Sequence, residues 1–243
     1  MLRILIISLG LVPSALFFVW TERNAALPYL PIWLGWPWIE GESWSLASRV
    51  TWNAFLIAAF GALHSGLASH SIQSHLKLGS WMRPVYIAVA GLSLLLLMGI
   101  WQHTGVLIWN IPAPIPAPLP WGLGWTSLMS YAVFGFTLSL FRRMNLSEFL
   151  GLTSATQPGA VLVGQGPFAW VRHPVYSLTI LFFGLASMMS LDRLLITAGM
   201  SVYIFIGYRL EEKKLIEQWG DSYRNYQQTV PAFVPRWSQL WKK

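Results

Sequence analysis

The chain has 243 residues, 55% of them hydrophobic and only 10% charged, where a soluble domain carries about a quarter charged residues. That composition excludes a surface facing only water, and the absence of cysteine excludes disulfides, thiolate metal sites and a cysteine nucleophile. The net charge of +7 is scattered between apolar runs, which suits orientation in a membrane rather than nucleic-acid binding.

Apolar runs free of charge predict about six membrane-spanning helices in an all-α bundle. The first covers residues 4–20 and follows Arg3. No small-x-small cleavage site follows it cleanly, so a retained span is expected over a signal peptide. The segment 28–44 then mixes Pro, Gly and four Trp (Trp33, Trp36, Trp38, Trp44), which cannot form an unbroken helix. An interfacial aromatic belt and a lid over a lipid-facing portal both fit it. The second span covers residues 50–69 and the third 84–101. Between the third and the fourth, 125–141, Pro recurs at every second residue over 111–120, imposing extended polyproline-like backbone.

The fifth span is expected over 174–191 and the sixth over 194–208, with Asp192-Arg193 marking the turn. The sixth is short against the roughly 20 residues a helix needs to cross a bilayer. Snorkelling by Arg193 and Arg209 at its ends would make up the difference. With both termini cytoplasmic, thirteen Lys and Arg fall inside and only Arg23, Arg49 and Arg193 outside, the asymmetry of an integral inner-membrane protein. The whole chain reads as one membrane domain, a four-span part over 1–141 and a cofactor-binding hairpin with its tail over 142–243.

Two polar clusters flank the last two spans. One runs from Gly164 through Gly166, Pro167, Arg172, His173 and Pro174 to Tyr176; the other is Arg209-Leu210-Glu211-Glu212. His173 lies 19 residues before Asp192 and Glu211 lies 19 after it. A short connection makes the helices antiparallel neighbours, so equal arms bring Arg172-His173 and Glu211-Glu212 to one depth. Pro174 suits the first turn of a helix, where free N–H groups beside Arg172 favour an anion. Glu211 and Glu212 sit at a helix C-terminal end, which the dipole disfavours by roughly 0.3–1 kcal/mol each. That misplacement marks them as candidates for function, the plainer reading being pairs with Arg209, Lys213 and Lys214. Leu215, Trp219, Tyr223 and Tyr226 then recur at helical period, predicting a surface helix that either closes the site or anchors the tail.

At these residues the chain resembles a known superfamily. Gly166-Pro167-Phe168, Arg172-His173-Pro174-x-Tyr176, Glu211-Glu212-x-x-Leu215, Trp219-Gly220, Tyr223-x-x-Tyr226 and Val230-Pro231-x-x-x-Pro235 are similar to the signature of the isoprenylcysteine carboxyl methyltransferase and phospholipid methyltransferase superfamily. The likeness covers roughly 163–236. It implies S-adenosylmethionine bound at the cytoplasmic rim and methyl transfer to an acceptor arriving from the bilayer. It carries cofactor contacts to Gly166, Pro167, His173, Pro174, Tyr176 and Glu211, and polar groups near the reacting centre to Arg172 and Glu212. Phe168 stands where the family usually has Tyr. Further upstream, Leu63-His64-Ser65-Gly66-Leu67-Ala68, Arg83-Pro84-x-Tyr86, Trp101-Gln102-x-x-Gly105-x-x-x-Trp109 and Glu148-Phe149-x-Gly151-Leu152 look like the methanethiol S-methyltransferase and NnrU-like branch. Ser69-His70 departs from that branch's Arg-Pro.

A thiol acceptor must lose its proton, because the thiolate is the nucleophile. Glu212 or His64 would serve as base and Arg172 would stabilise negative charge; for His64, a packed and hydrogen-bonded intramembrane role is equally open. No metal is required, and His64, His70 and His75 form no i, i+4 pair. The expected function is S-adenosylmethionine-dependent methylation of a small thiol or another membrane-accessible nucleophile, with membrane lipids as surroundings and no nucleic-acid partner. A lipid or prenylcysteine methyltransferase, a non-catalytic NnrU-like protein and a nicotinamide-dependent membrane reductase are the competing readings.

Overall fold

The computed structural model describes residues 2–26, 43–110, 135, 166–185 and 188–236, which are predominantly helical. The elements in order are α1 (Leu2–Ala26), α2 (Leu46–Ala68), the short α3 (His70–Leu76), a 3₁₀ turn (Gly79–Trp81) leading into α4 (Met82–Ile100), and β1 (Leu107–Asn110). After a second 3₁₀ turn (Gly166–Ala169) come α5 (Pro174–Gly184), β2 (Met188–Ser190), α6 (Leu191–Trp219) and α7 (Asp221–Thr229). The expected fourth span, the proline-rich segment 111–120, the Glu148 motif and most of the Trp-rich loop lie outside the described residues.

Small residues decide how the helices meet. On α1 the buried positions Ile7, Gly10, Pro13, Phe17, Trp20 and Thr21 form one stripe at helical spacing. Gly10 backs onto the carbonyl of Ile87, and Gly91 of α4 onto the carbonyl of Gly10, so closely that neither position has room for a Cβ. In lipid, where apolar burial does not drive helices together, such backbone contact is a main source of association. α2 and α6 also meet at glycines, there against side chains, with Gly199 on Ile57 and Gly61 on Tyr203.

The pairings define two ends of the bundle. At one, Arg3 donates to Ser80 Oγ at 2.6 Å and its guanidinium lies 4.9 Å over the Trp81 ring. At the other, Trp20 meets Trp101 edge-on at 5.6 Å. This far end is a polar knot. Asp192, 4% exposed, accepts from Trp101 Nε1 at 3.0 Å and from the N–H and hydroxyl of Thr104. Asn53 exchanges two hydrogen bonds with the backbone of Gln102, at 2.7 and 3.0 Å, and β1 pairs antiparallel with β2. Trp101, Gln102 and Gly105 (φ +68°) therefore serve the architecture of the end remote from the candidate site.

Here the structure corrects the expected fifth and sixth spans. α5 stops at Gly184, and α6 starts at Leu191 under a Ser190 cap whose Oγ accepts from the Arg193 N–H at 3.1 Å. Arg193 does not snorkel. It is 1% exposed and donates to the carbonyls of Phe182 and Phe183, both at 3.1 Å, which the end of α5 leaves without helical partners. α6 then runs on past Tyr208 to Trp219.

Three helical stretches are long and apolar enough to cross a bilayer: Leu46–Ala68, Gly79–Ile100 and Leu191–Trp219; Leu2–Phe18 and Pro174–Gly184 are shorter apolar helices. Leu5, Val12, Phe55, Leu96, Val202 and Ile206 point outward, an arrangement costly in water and natural in hydrocarbon. The chain is an integral membrane protein.

Candidate active site

The sequence clusters Arg172-His173 and Glu211-Glu212 meet at the end of the bundle opposite the Asp192 knot. The equal-arm expectation holds although the arms differ in kind. α5 ends at Gly184 and β2 (Met188–Ser190) leads into α6. A strand residue advances about 3.3 Å against about 1.5 Å in a helix, so a shorter helix on that arm still reaches the depth of Glu212. Glu212 Oε1 accepts from Arg172 Nε at 2.7 Å and from His173 Nε2 at 3.0 Å. Its Oε2 accepts from Gln227 Nε2 at 2.7 Å. The side chains of Arg172 and Glu212 are each 10% exposed. Glu211 is different: its side chain is 46% exposed and accepts from the Tyr176 hydroxyl at 2.8 Å.

A carboxylate only accepts hydrogen bonds, so His173 must carry its proton on Nε2 toward Glu212. In the neutral ring, Nδ1 then presents a lone pair, 3.9 Å from Glu211 Oε2. Tyr176 stacks on His173 at 5.3 Å, and Tyr208 and Phe233 complete its aromatic surround.

The tail closes this cluster. Gly220 (φ +57°) breaks the helix, so the apolar series Leu215, Trp219, Tyr223 and Tyr226 lines an angle between α6 and α7 rather than one continuous rod. The chain then folds back. The backbone N–H groups of Arg172 and His173 donate to the carbonyls of Pro231 and Ala232 at 2.9 and 3.0 Å, and Ser177 Oγ to that of Phe233 at 2.8 Å. The Arg172 guanidinium also donates to the carbonyls of Gln227 and Val230. Tyr226 donates to the carbonyl of Phe168 at 2.6 Å, tying α7 to the turn that Gly166 opens with φ +56°. Burial pushes the Tyr226 hydroxyl up to about 12, against the pull of Arg172 and with a smaller push from Glu212. Burial, then Glu212, also drives the Tyr223 hydroxyl upward. Both phenols are therefore donors at neutral pH.

His64 sits apart from the carboxylates, at the centre of a second cluster. Its Nδ1 lies 2.6 Å from the hydroxyl of Tyr203 on α6, and its Nε2 lies 2.6 Å from the hydroxyl of Tyr86 on α4. Ser65 Oγ donates to the Tyr203 oxygen at 3.3 Å, and Phe60 flanks the imidazole. Tyr203 precedes Glu211 by eight residues on α6, about 12 Å of helix rise, which sets the His64 cluster about two turns from the carboxylates.

Of the residues singled out from the sequence, Arg172, His173 and Glu212 form one hydrogen-bonded group and Tyr176 with Glu211 a second, joined by the stacking of Tyr176 on His173. Gly166 and Pro167 form the turn above it, and Pro174 is buried at the first position of α5. The Arg172 guanidinium faces protein acceptors rather than an open anion site. Sequence reasoning misses Gln227 and Tyr203, and it quotes Tyr86 in a motif without giving it a role. Gln227 stands one helical turn beyond Tyr223, which was a usable signal; nothing local in the sequence links Tyr203 to His64, 139 positions away.

Comparison with known proteins gives the same direction. The chain is 30% identical over 209 residues to methanethiol S-methyltransferase 1 of Bradyrhizobium diazoefficiens, covering 80% of this chain and 70% of that protein. It is 28% identical to a methanethiol S-methyltransferase of Pseudomonas deceptionensis over 80% of this chain and 75% of the other. Against the Mycobacterium tuberculosis protein of that name the identity is 26%, over 78% and 80% of the two chains. No protein-family model matches the chain, and no solved structure matches it.

Proposed function

We propose that this chain, which belongs to the methanethiol S-methyltransferase family, methylates a small membrane-accessible thiol with S-adenosylmethionine as donor. The observation that carries the reading is the convergence of Arg172 and His173 on Glu212 beside the Tyr176–Glu211 pair.

The donor set fits the cofactor. With the His173 ring neutral, its Nδ1 lone pair and the half-exposed Glu211 carboxylate are two acceptors 3.9 Å apart, which suits an ammonium or ribose hydroxyl donor bridging them. The rings of Tyr176, Tyr208 and Phe233 suit a flat base or a cationic sulfonium. The family resemblance gives further cofactor contacts to Gly166, Pro167, Pro174 and Tyr176. S-adenosylmethionine supplies, when bound, a methyl group already activated on sulfur. The protein therefore has to align the acceptor and exclude water. Arg172 holds Glu212, Glu212 orients His173, and the tail seals them in. His64 stands on the acceptor side, contributed by the 1–141 part, while 142–243 supplies the cofactor hairpin. The thirteen-to-three distribution of Lys and Arg supports cytoplasmic termini, which puts the rim where the cofactor is made.

S-adenosylhomocysteine added to detergent-purified protein should raise its melting temperature, as any ligand selective for the native state must. Labelled methyl should appear in dimethyl sulfide and not in extracted lipids. A thermal shift with NADPH and none with S-adenosylhomocysteine overturns the assignment.

A further inference from the structure

The His64 cluster joins three helices that share no local sequence signal. Both ring nitrogens face a phenol oxygen at 2.6 Å, and this geometry limits the proton positions. A neutral imidazole has one N–H and one lone pair, so one tyrosine donates to it and the other accepts from it. With the proton on Nε2, Tyr86 accepts and the Tyr203 hydroxyl donates to Nδ1. The Tyr203 oxygen still has acceptor capacity for an incoming donor, and it already takes the Ser65 hydroxyl at 3.3 Å. Tyr203 also stands on α6 eight residues before Glu211, about 12 Å of helix rise from the rim. The cluster thus presents a hydrogen-bond acceptor backed by a base, about two helical turns from the cofactor side.

Resting on the methyltransferase reading, we propose that Tyr203 binds the acceptor thiol and passes its proton to His64, with Tyr86 fixing the imidazole. The S–H bond breaks and its proton goes to the Tyr203 oxygen. The original Tyr203 proton moves to Nδ1, leaving an imidazolium and a thiolate, so atoms and charge balance. Each ring nitrogen then donates to a phenol oxygen at the distance already present, which leaves neither N–H without an acceptor. The thiolate keeps the sulfur electron pair for methylation. Tyr203 and His64 act on the reacting thiol, whereas Tyr86 is a positioning residue. Glu212 is a poorer candidate for base, because Arg172, His173 and Gln227 already occupy its oxygens. Among the described residues, the titratable groups on His64 are Tyr203 of α6 and Tyr86 of α4, and Arg83 stands three residues before Tyr86 on α4.

The test uses the full chain reconstituted in phospholipid bilayers, with Tyr203→Phe, His64→Gln and Tyr86→Phe. Two readouts need no turnover: S-adenosylhomocysteine affinity and methanethiol affinity without a methyl donor. Tyr203→Phe should weaken methanethiol binding about tenfold, the worth of one neutral hydrogen bond, with S-adenosylhomocysteine affinity unchanged in all three variants. His64→Gln should cut kcat at neutral pH by about 10²–10⁴-fold, the usual contribution of a general base. That deficit should shrink toward pH 10, where thiols ionise unaided. Tyr86→Phe should lower kcat about tenfold and leave KM for methanethiol unchanged. A His64→Gln deficit equal at all pH values, or methanethiol binding by Tyr203→Phe equal to wild type, overturns the relay and leaves the methyltransferase reading standing. A wild-type chain that moves no methyl to methanethiol removes both.

Discussion

Two adjacent carboxylates carry opposite duties, and their surroundings explain why. Glu212 is buried against Arg172, His173 and Gln227, so it acts as a structural acceptor that sets the His173 tautomer. Glu211, half exposed, keeps one oxygen on Tyr176 and is the acid available to a ligand. Glu212→Ala should abolish methyl transfer and S-adenosylhomocysteine binding, with a stability loss of about 3–5 kcal/mol because Arg172 is left buried without its partner. Glu211→Gln should leave the melting temperature within a degree or two and weaken S-adenosylhomocysteine about tenfold, measurable by calorimetry. Tyr226 ties the tail to the Phe168 carbonyl, and its folded hydroxyl, up to about 12, ionises above the unfolded value of about 10. The unfolded chain therefore loses this proton first, and the stability it contributes is full below pH 10 and lost as pH rises through 12. In melting curves between pH 8 and 12, Tyr226→Phe should start about 1 kcal/mol lower and decline less steeply.

Helix contacts rest on glycines whose neighbours leave no room for a side chain. Gly91→Leu would drive a side chain into the backbone of α1 at Gly10 and should part the two helices, lowering the melting temperature without touching the rim residues. Gly220 has a different role. Its φ of +57° with ψ of −131° is closed to L side chains at a cost of about 1–3 kcal/mol. Gly220→Ala should loosen α7 from α6, seen as faster proteolysis of the tail, and should weaken S-adenosylhomocysteine because the tail carbonyls hold Arg172. The apolar series from Leu215 to Tyr226 was legible as helix-period packing. The angle between its halves was not, because periodicity describes a face and carries no record of a break that the face spans.

Across the whole molecule, the site end and the Asp192 end hold different kinds of polar chemistry. The site end combines a half-exposed acid, a buried imidazole beside it and a folded-back tail. The far end has Asp192, Asn53 and Arg193 turned onto backbone groups and buried, which locks loops to helix ends. The chain has no cysteine, so a single introduced thiol reports its own side of the membrane. Ser222→Cys on α7 should react with an impermeant maleimide in inverted vesicles and resist it in right-side-out ones, and Ser43→Cys should do the reverse. Labelling of both from one side would refute cytoplasmic placement of the rim.

The sequence by itself determined that this is a membrane bundle, that its apolar runs become helices, and that Arg172-His173 and Glu211-Glu212 share one end. Those properties follow from hydrophobicity, chain length and rise per residue, which are local or additive along the chain. Only the tertiary structure decided that Glu212 is enclosed while Glu211 is open, that Arg193 caps α5 from within, and that His64 finds Tyr86 and Tyr203. Each of these depends on which faces of separate helices meet, and that choice is made by glycine contacts and by the pairing of buried polar atoms far apart in the chain.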